Sequence, residues 1–293
     1  MSDWTASLPP VALRSNGLPG NRHMPDRIAS LPQYDLPELR QATDAWWTGI
    51  ARHMRVVGLD DVPQVLTRAE DAEALWRDPH ILLTQTCGYP LMTELSDCLR
   101  PVATPIYRCD GCRGATYSSV LIVRTDGPLH RLEDARGKVA AANNRNSHSG
   151  MNALRHCVAP LATDGRFFGR VLWTGGHAAS AQAVAEGKAD IAAVDAVTWA
   201  LLSRERSALT QRLRVIGNTD YAPSLPYATR IDAPEAVRAL LFQALAAAAA
   251  DPSLASVRHA LLIGGFTPAD FSTYQTVLDW KADAAAAGYP DLR

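Results

Sequence analysis

The chain has 293 residues, of which 47% are hydrophobic and 20% are charged, and its formal net charge is −1. This composition lies near the average for globular proteins and supports one large core or two smaller ones. Because the lysine and arginine residues are scattered, the sequence argues against a nucleic-acid partner and against a polybasic membrane-binding surface.

The first 23 residues are predicted to form a flexible arm, because they are polar and rich in proline and glycine. They lack the apolar segment of a secretory signal. The sequence as given therefore predicts a cytoplasmic protein, or a periplasmic one if the true start differs. No stretch reaches the roughly 18 apolar residues of a membrane span. The longest apolar run, 240–250, is predicted to be a core helix, and no membrane insertion is expected.

From residue 27 the hydrophobic pattern alternates between strands and helices, which predicts an α/β lobe. The predicted strands cover 27–31, 62–66 and 80–84, and the predicted helices cover 36–55 and 68–77. Ligands in such sheets lie beyond the carboxyl ends of the strands. Tyr34 and Tyr89 follow the first and third of these strands, so both are expected to face a shared crevice.

A second α/β lobe is predicted between residues 113 and 224. Its predicted strands cover 118–124, 138–144, 169–174, 190–194 and 214–218, and its predicted helices cover 151–158, 179–186 and 196–207. Each of these strands ends in a polar group. The predicted organisation is an arm (1–23), a first lobe (24–112 and 225–293) and a second lobe (113–224).

The segment 221–230 is predicted to cross back to the first lobe. It contains Pro223 and Pro226, so it is predicted to be neither a central strand nor a helix throughout. The remainder is predicted to be helical over 234–250, 253–262 and 268–287, with Gly264 and Gly265 as a break. These last helices are expected to cover the sheet of the first lobe.

The five cysteines are an odd set in a chain too large to need disulfide bonds for its stability. Cys109 and Cys112 form a Cys-Asp-Gly-Cys motif, which fits a local disulfide, half of a metal site or a redox pair. No second motif of this kind is present, and this one lies between predicted strands. A structural or incidental role is favoured, and neither a metal nor a cofactor is predicted.

The most informative local feature is the turn Ser147-His148-Ser149-Gly150, which joins an apolar strand to a predicted helix. The two serines offer hydroxyl donors, and the first N–H groups of the helix lack intrahelical partners. Together with the helix dipole, these donors favour an oxyanion. The same pattern is typical of an ordinary helix N-cap, so the turn alone leaves both interpretations open.

Two further strand ends of the second lobe carry His177 and Asp195. An imidazole can donate to an oxyanion, but a carboxylate repels it unless the carboxylate accepts a hydrogen bond from the ligand. The predicted ligand therefore retains a proton or carries an amine. Simpler interpretations remain: His177 as a capping or buried histidine, Asp195 as an N-cap, and Tyr34 and Tyr89 as aromatic residues at the edge of the core.

The serine turn, the stretch from Gly175-Gly176-His177 to Asp195, and Leu225-Pro226-Tyr227 together resemble the phosphate/phosphonate-type (PhnD-like) substrate-binding proteins of ABC transporters. The resemblance covers about 27–262. It implies a two-lobed α/β fold of the type 2 periplasmic-binding-protein class, in which each lobe is a mixed, mostly parallel sheet flanked by helices and the ligand cleft lies between the lobes.

The resemblance also implies roles for individual residues. It places Ser147, His148 and Ser149 at the phosphoryl oxygens and His177 and Asp195 beside the ligand, and more loosely it adds the following aromatic residues of the first lobe: Tyr34 and Tyr89. The chain departs from the family pattern at His148, where a small hydroxyl residue is usual, and in lacking the expected secretory signal.

Two hypotheses of function follow. The leading one is a binding protein without catalytic activity that closes over a small phosphate, phosphonate or related oxyanion, as a component of an ABC uptake system with a permease as candidate partner. The alternative is a cytosolic enzyme or sensor on the same fold, with His177 and Asp195 as acid and base and Cys112 or Cys157 as nucleophile. No catalytic motif is recognised in the sequence.

Overall fold

The computed structural model describes residues 27–69 and 71–293, and the predicted arm lies outside them. The strands are β1 (Ile28–Ser30), β2 (Ile81–Gln85), β3 (Leu99–Tyr107), β4 (Cys112–Arg113), β5 (Thr116–Tyr117), β6 (Ser119–Arg124), β7 (Val139–Ala142), β8 (Arg170–Trp173), β9 (Ile191–Asp195), β10 (Leu213–Asn218), β11 (Ala222–Pro223), β12 (Tyr227–Arg230) and β13 (Ile263–Pro268). The helices are α1 (Arg40–Val56), α2 (Ala72–Trp76), α3 (Gly88–Thr93), α4 (Ala153–Val158), α5 (His177–Ala185), α6 (Ala196–Glu205), α7 (Ser207–Thr210), α8 (Glu235–Ala250), α9 (Ala255–Ala260) and α10 (Gln275–Ala286).

The first lobe is built on a five-stranded sheet with the order β1-β2-β12-β3-β13. Only the β1–β2 pair is parallel, and the other pairs are antiparallel. All five residues of β2 are buried, as expected for a strand covered on both faces. Helix α1 packs on this sheet through Trp46, Trp47, Ile50 and Met54, whose spacing puts them on one face of the helix.

The second lobe is built on another five-stranded sheet, with the order β10-β6-β9-β7-β8. Strands β9, β7 and β8 are parallel, whereas β6 runs antiparallel to both β9 and β10. Both sheets are mixed, as predicted, but neither is mostly parallel, because antiparallel pairs outnumber parallel ones in the first sheet and equal them in the second. Because β7, β8 and β9 run in the same direction, their carboxyl ends meet at one edge of the sheet.

The chain passes between the lobes after β3 and again after β10. A small three-stranded sheet with the order β11-β5-β4 forms at these crossings. Helix α10 contacts α3 of the first lobe and α4 of the second. The sequence-based boundary places 225–293 in the first lobe. Strands β12 and β13 do join the first sheet, whereas α10 contacts elements of both lobes.

Several predicted elements differ from the structure, and each difference has a local cause. Residues 62–66 form no strand, since Pro63 lacks a backbone N–H donor and the preceding turn holds Asp61 at a positive φ of 53°. Strand β12 is central rather than a simple crossover, because Pro226 lies just before its first residue, where no ladder hydrogen bond is required.

Strands β3 and β13 were absent from the predicted elements. Strand β3 carries Pro101 and Pro105, which break the usual strand pattern, yet it pairs with β12 and β13 on its two sides. Strand β13 contains Gly264 and Gly265, which were predicted to interrupt helices. They form a β-strand whose register shifts between Ile263 and Gly265.

Among the described residues, no single helix is long and apolar enough to cross a membrane. One pair, α8 with the segment Pro252–Ala260, meets the length and composition criteria only when taken together, and it is bent by 71°.

We expect Trp280 of α10 to be a major contributor to stability. Its ring is stacked between His148 and His156, with centroid distances of 5.1 and 4.9 Å. Replacing a buried tryptophan by alanine removes its packing and leaves a cavity, so Trp280→Ala should lower the free energy of unfolding by about 3–5 kcal/mol. Denaturant titration measures this change. The control Val56→Ala, at a side chain that is 77% exposed, should change it by less than about 0.5 kcal/mol. A loss below about 1 kcal/mol for Trp280→Ala would contradict the expectation.

Candidate functional site

A cleft of about 530 Å³ lies between the two lobes. Its wall on the first lobe comes from the loop after β1 and from α2 and α3. Its wall on the second lobe comes from the segments that follow β7, β8 and β9. Five of the predicted site residues line it: Tyr34, Ser147, Ser149, His177 and Asp195. The carboxyl ends of the parallel strands thus bring these side chains together.

The serine turn begins a helix in a distinctive way. Ser147 is the N-cap, and its Oγ accepts a hydrogen bond from the N–H of Gly150 at 3.1 Å. The first turn, His148–Asn152, is π-helical and leads into α4. Such turns are rare and occur frequently at functional sites. The backbone oxygen of Ser149 accepts a hydrogen bond from Ser119 Oγ at 3.0 Å, which ties the turn to β6.

The hydroxyl of Ser149 is paired with the imidazole of His177, with Oγ 2.7 Å from Nε2. Burial lowers the pKa of His177 to about 4, so the ring is neutral at pH 7. The pair therefore presents hydrogen-bonding groups to the cleft without adding a formal charge.

Asn143 was not identified from the sequence, although it also lines the cleft. Its Nδ2 lies 3.4 Å from Nε2 of His177. Its Oδ1 is buried and has no hydrogen-bond partner among the described residues. A Cβ added at Gly150 would lie 1.8 Å from this oxygen, so a larger residue there would displace the Asn143 side chain. The sequence signal for Asn143 is its position directly after β7, at the carboxyl end of a parallel strand.

Asp195 connects the two walls of the cleft. Its Oδ2 accepts a hydrogen bond from the hydroxyl of Tyr34 at 2.8 Å, and its Oδ1 accepts one from the N–H of Thr198 at 3.0 Å as the N-cap of α6. Burial raises the pKa of Asp195 to about 6. Burial also raises the pKa of Tyr34 well above its usual value, so the phenol stays protonated as a donor.

The backbone of Tyr34 is held in an unusual conformation, with a φ of 63°. This left-handed region is unfavourable for residues other than glycine, and such strain is found most often at functional sites. The ring meets Tyr107 edge-on at a centroid distance of 5.2 Å. The strained loop and the aromatic contact together aim the hydroxyl at Asp195.

The charge of the cleft is unusual for a predicted oxyanion site. None of the described residues that line it is lysine or arginine, and three acidic residues line it besides Asp195. Of these, Asp35 pairs with Arg68 at 2.6 Å, Asp71 caps α2, and Glu73 bonds to Asn146. The polar part of the wall, among the described residues, therefore consists of neutral groups and carboxylates, beside apolar side chains.

The structure does not bring His148 and Tyr89 into the cleft. The imidazole of His148 stacks on Trp280, and burial lowers its pKa to about 3. The ring of Tyr89 is buried and lies 5.8 Å from Nζ of Lys281 on α10. The side chain of His148 lies against Trp280 and Asn152, whereas that of Ser149 contacts His177, so the serines alone reach the cleft.

The cysteines are free thiols. Cys109 and Cys112 have their Sγ atoms 3.5 Å apart, at the crossing between the lobes. Their mutual hydrogen bond lowers the pKa of Cys109 and raises that of Cys112. Burial raises the pKa of Cys157 to about 11. The two thiols considered as nucleophiles, Cys112 and Cys157, are therefore disfavoured as thiolates. The described residues form no cluster of three or more metal-ligating side chains.

Most of the chain matches the model of a known protein family. Residues 37–274 match the model described as the phosphonate periplasmic substrate-binding protein of ABC transporters. The chain belongs to this family. No curated protein sequence matches the chain significantly. Membership confirms the resemblance inferred from the serine turn and the strand ends, and it places the chain in a family of substrate-binding proteins rather than enzymes.

Solved structures show the same fold. A binding protein component of an ABC phosphonate transporter from Pseudomonas aeruginosa has a TM-score of 0.73 at 18% identity, over 89% of this chain and 87% of its own. PhnD1 from Prochlorococcus marinus, solved with methylphosphonate, has a TM-score of 0.69 at 13% identity, over 89% and 99%. A protein of Xanthomonas citri, solved with ATP, has a TM-score of 0.66 at 19% identity, over 89% and 98%. These likenesses confirm the predicted two-lobed α/β fold.

We expect His148 to make the protein sensitive to acid. Its pKa is lower in the folded protein than in the unfolded chain, so its contribution to stability is complete above pH 6.5 and is lost as the pH falls toward 3. His148→Gln should make the decline in unfolding free energy between pH 6.5 and 4 shallower by up to about 1.4 kcal/mol per pH unit. His177 and Asp195 titrate in the same range, but both are present in wild type and variant. Their contributions to the unfolding free energy therefore cancel when the two pH slopes are subtracted.

Denaturant titrations at several pH values measure this slope. His130→Gln, at an exposed histidine, is the matched control and should leave the slope unchanged. Parallel curves for wild type and His148→Gln would show that His148 does not cause the acid sensitivity.

Proposed function

We propose that this chain captures a phosphonate, or a closely related phosphorus oxyanion, between its lobes and delivers it to an ABC permease. The observation that carries the proposal is the composition of the cleft. Hydroxyl and imidazole groups at a helix start converge there with one buried carboxylate, and none of the described residues of the wall is cationic. Such a wall suits an anion that carries little net charge.

The protonation state of the ligand follows from this wall. A doubly charged phosphonate would meet the carboxylate of Asp195 without a compensating cation, which is unfavourable in a buried site. A singly charged hydrogen phosphonate still carries one P–O–H group. That group can donate to Asp195, while the other oxygens accept from the serine turn.

An ammonium group on the ligand offers a second way to balance the charge. Asp71 and Glu73 line the same cleft as Asp195. A ligand whose phosphonate binds at the serine turn can therefore place an amine at its other end near these carboxylates. Both forms of ligand share a low net charge, which is what the wall requires.

Contacts across the cleft support capture by closure. Tyr34 bonds to Asp195, and Glu38 of the first lobe forms a two-pronged ion pair with Arg206 of the second, at 2.8 and 3.1 Å. A ligand that adds further contacts to both walls stabilises this closed arrangement over an open one. PhnD1 of Prochlorococcus marinus, which has the same fold, was solved with methylphosphonate. That compound is therefore the first ligand to test.

The serine turn can be tested by calorimetry with methylphosphonate, phosphite, phosphate and 2-aminoethylphosphonate. Ser149→Ala removes a hydroxyl that donates to a charged oxygen, so we expect the affinity for whichever compound binds to fall by about tenfold or more. Ser203→Ala, at an exposed serine of α6, is the matched control and should bind as wild type does. Absence of saturable binding to all four compounds, or equal affinity in Ser149→Ala, would contradict the proposal.

The role of Asp195 predicts a pH dependence of binding. Above the second ionisation of methylphosphonate the ligand loses the proton that it donates to Asp195, so the dissociation constant of wild type should rise by up to about tenfold per pH unit. Asp195→Asn removes the carboxylate and should flatten this rise, because an amide can donate to the dianion.

Calorimetry across this pH range compares the two profiles, with Glu133→Gln as an exposed control. Should Asp195→Asn follow the same steep profile as wild type, the carboxylate does not select the protonated ligand.

A further inference from the structure

A second concave surface lies on the second lobe, outside the cleft. It is a groove of about 220 Å³ along β8, the outermost strand of the second sheet. Four arginines line it: Arg145, Arg166, Arg170 and Arg293. None of the described residues that line it has an acidic side chain. We call this surface the arginine groove.

The charges of the groove are largely uncompensated. Arg166 and Arg170 are exposed, and neither side chain makes a hydrogen bond or an ion pair with a described residue. Arg145 lies over the ring of Trp173, 4.7 Å from its centroid, without a carboxylate partner in the described part of the chain. Elsewhere, arginines such as Arg68 and Arg206 are paired with carboxylates.

The groove has a fixed floor and fixed positions for two of its cations. Nε of Arg293 donates to the backbone oxygen of Gly165 at 3.0 Å. The backbone oxygen of Arg293 accepts hydrogen bonds from the N–H groups of Phe167 and Phe168 at 2.9 and 3.1 Å. Stacking on Trp173 orients the guanidinium of Arg145. These contacts hold Arg145 and Arg293 in place before any anion arrives, which reduces the entropy cost of binding.

Clustered guanidinium groups repel one another, and a bound anion relieves that repulsion. Each planar guanidinium group can donate two parallel hydrogen bonds to a phosphoryl group. The charge of the groove exceeds what a singly charged ligand would balance, and its volume is that of a small molecule. We propose that the arginine groove is a second anion site, which binds a small oligophosphate with two or more phosphoryl groups.

The two sites therefore separate anions by charge. Among the described residues, the cleft is lined by carboxylates without cationic side chains, whereas the groove is lined by guanidinium groups without acidic side chains. They share one loop, since Arg145 of the groove stands between Asn144 and Asn146, which line the cleft.

Calorimetry with inorganic pyrophosphate and tripolyphosphate tests the proposal on the full chain. We expect saturable binding to wild type that weakens as salt is added. The double variant Arg166→Gln with Arg170→Gln should weaken it by about tenfold or more. Arg113→Gln is a matched control, because Arg113 is exposed and lies over Tyr221 at 4.4 Å, an arginine–aromatic pair outside the groove. It should bind as wild type does.

Ser149→Ala separates the two sites, because it alters only the cleft. Pyrophosphate affinity should be unchanged in this variant. If Ser149→Ala weakens pyrophosphate binding and the double arginine variant does not, the anion binds in the cleft and the proposal is wrong. The proposal also fails if neither oligophosphate binds wild type, whether or not another anion, such as a glutamate-rich peptide, binds the groove.

Discussion

The buried carboxylate of Asp195 constrains the rest of the cleft. It ends β9, caps α6 and accepts the hydroxyl of Tyr34 from the opposite lobe. A carboxylate out of contact with water is unfavourable unless hydrogen bonds stabilise it, and these two donors do so. Because no cation of the described chain lines the cleft, the proposed function requires an anion that brings its own proton or positive group. Ligand choice thus depends on hydrogen-bond donors and on the protonation state of the ligand.

The imidazole of His177 reinforces this constraint. Burial keeps it neutral, so it serves as a hydrogen-bonding partner of Ser149 and does not supply the charge that a protonated histidine would. The nearby Oδ1 of Asn143 has no partner in the described structure, and an amide oxygen accepts hydrogen bonds only. Under the proposed function, the protonated ligand that suits Asp195 therefore also suits Asn143.

Much of the cleft could be predicted from the sequence, because polar residues after buried parallel strands converge at one edge of a sheet. Ser147, Ser149, His177 and Asp195 follow this rule. Tyr34 follows it in the first lobe, although no propensity could foresee its positive φ. Side-chain direction was harder to predict: His148 turns away from the cleft to stack on Trp280 of α10, and the sequence pattern around His148 does not reveal this distant contact.

The fold was predicted in outline, whereas strand order depended on contacts that sequence patterns do not encode. Strands β3 and β13 escaped prediction because of their prolines and glycines, which tertiary pairing tolerates at register shifts. The ion pair between Glu38 and Arg206 joins residues 168 positions apart, and only the assembled lobes bring them together. The arginine groove has the same origin, since its residues come from separate segments of a chain with scattered charge.

The attachment of the last helix determines how the lobes can move. Asn152 donates to the backbone oxygen of Val277, and Arg155 donates to that of Pro290, so α10 and the residues after it are fastened to the helix that carries the serine turn. The contact of α10 with α3 has no such hydrogen bonds among those of the described residues. Tyr274, the residue directly before α10, is hydrogen-bonded to Thr104 of β3 at 2.7 Å. Helix α10 is therefore fastened to both lobes, to the first at its start and to the second along its length, and it restrains rotation of one lobe against the other.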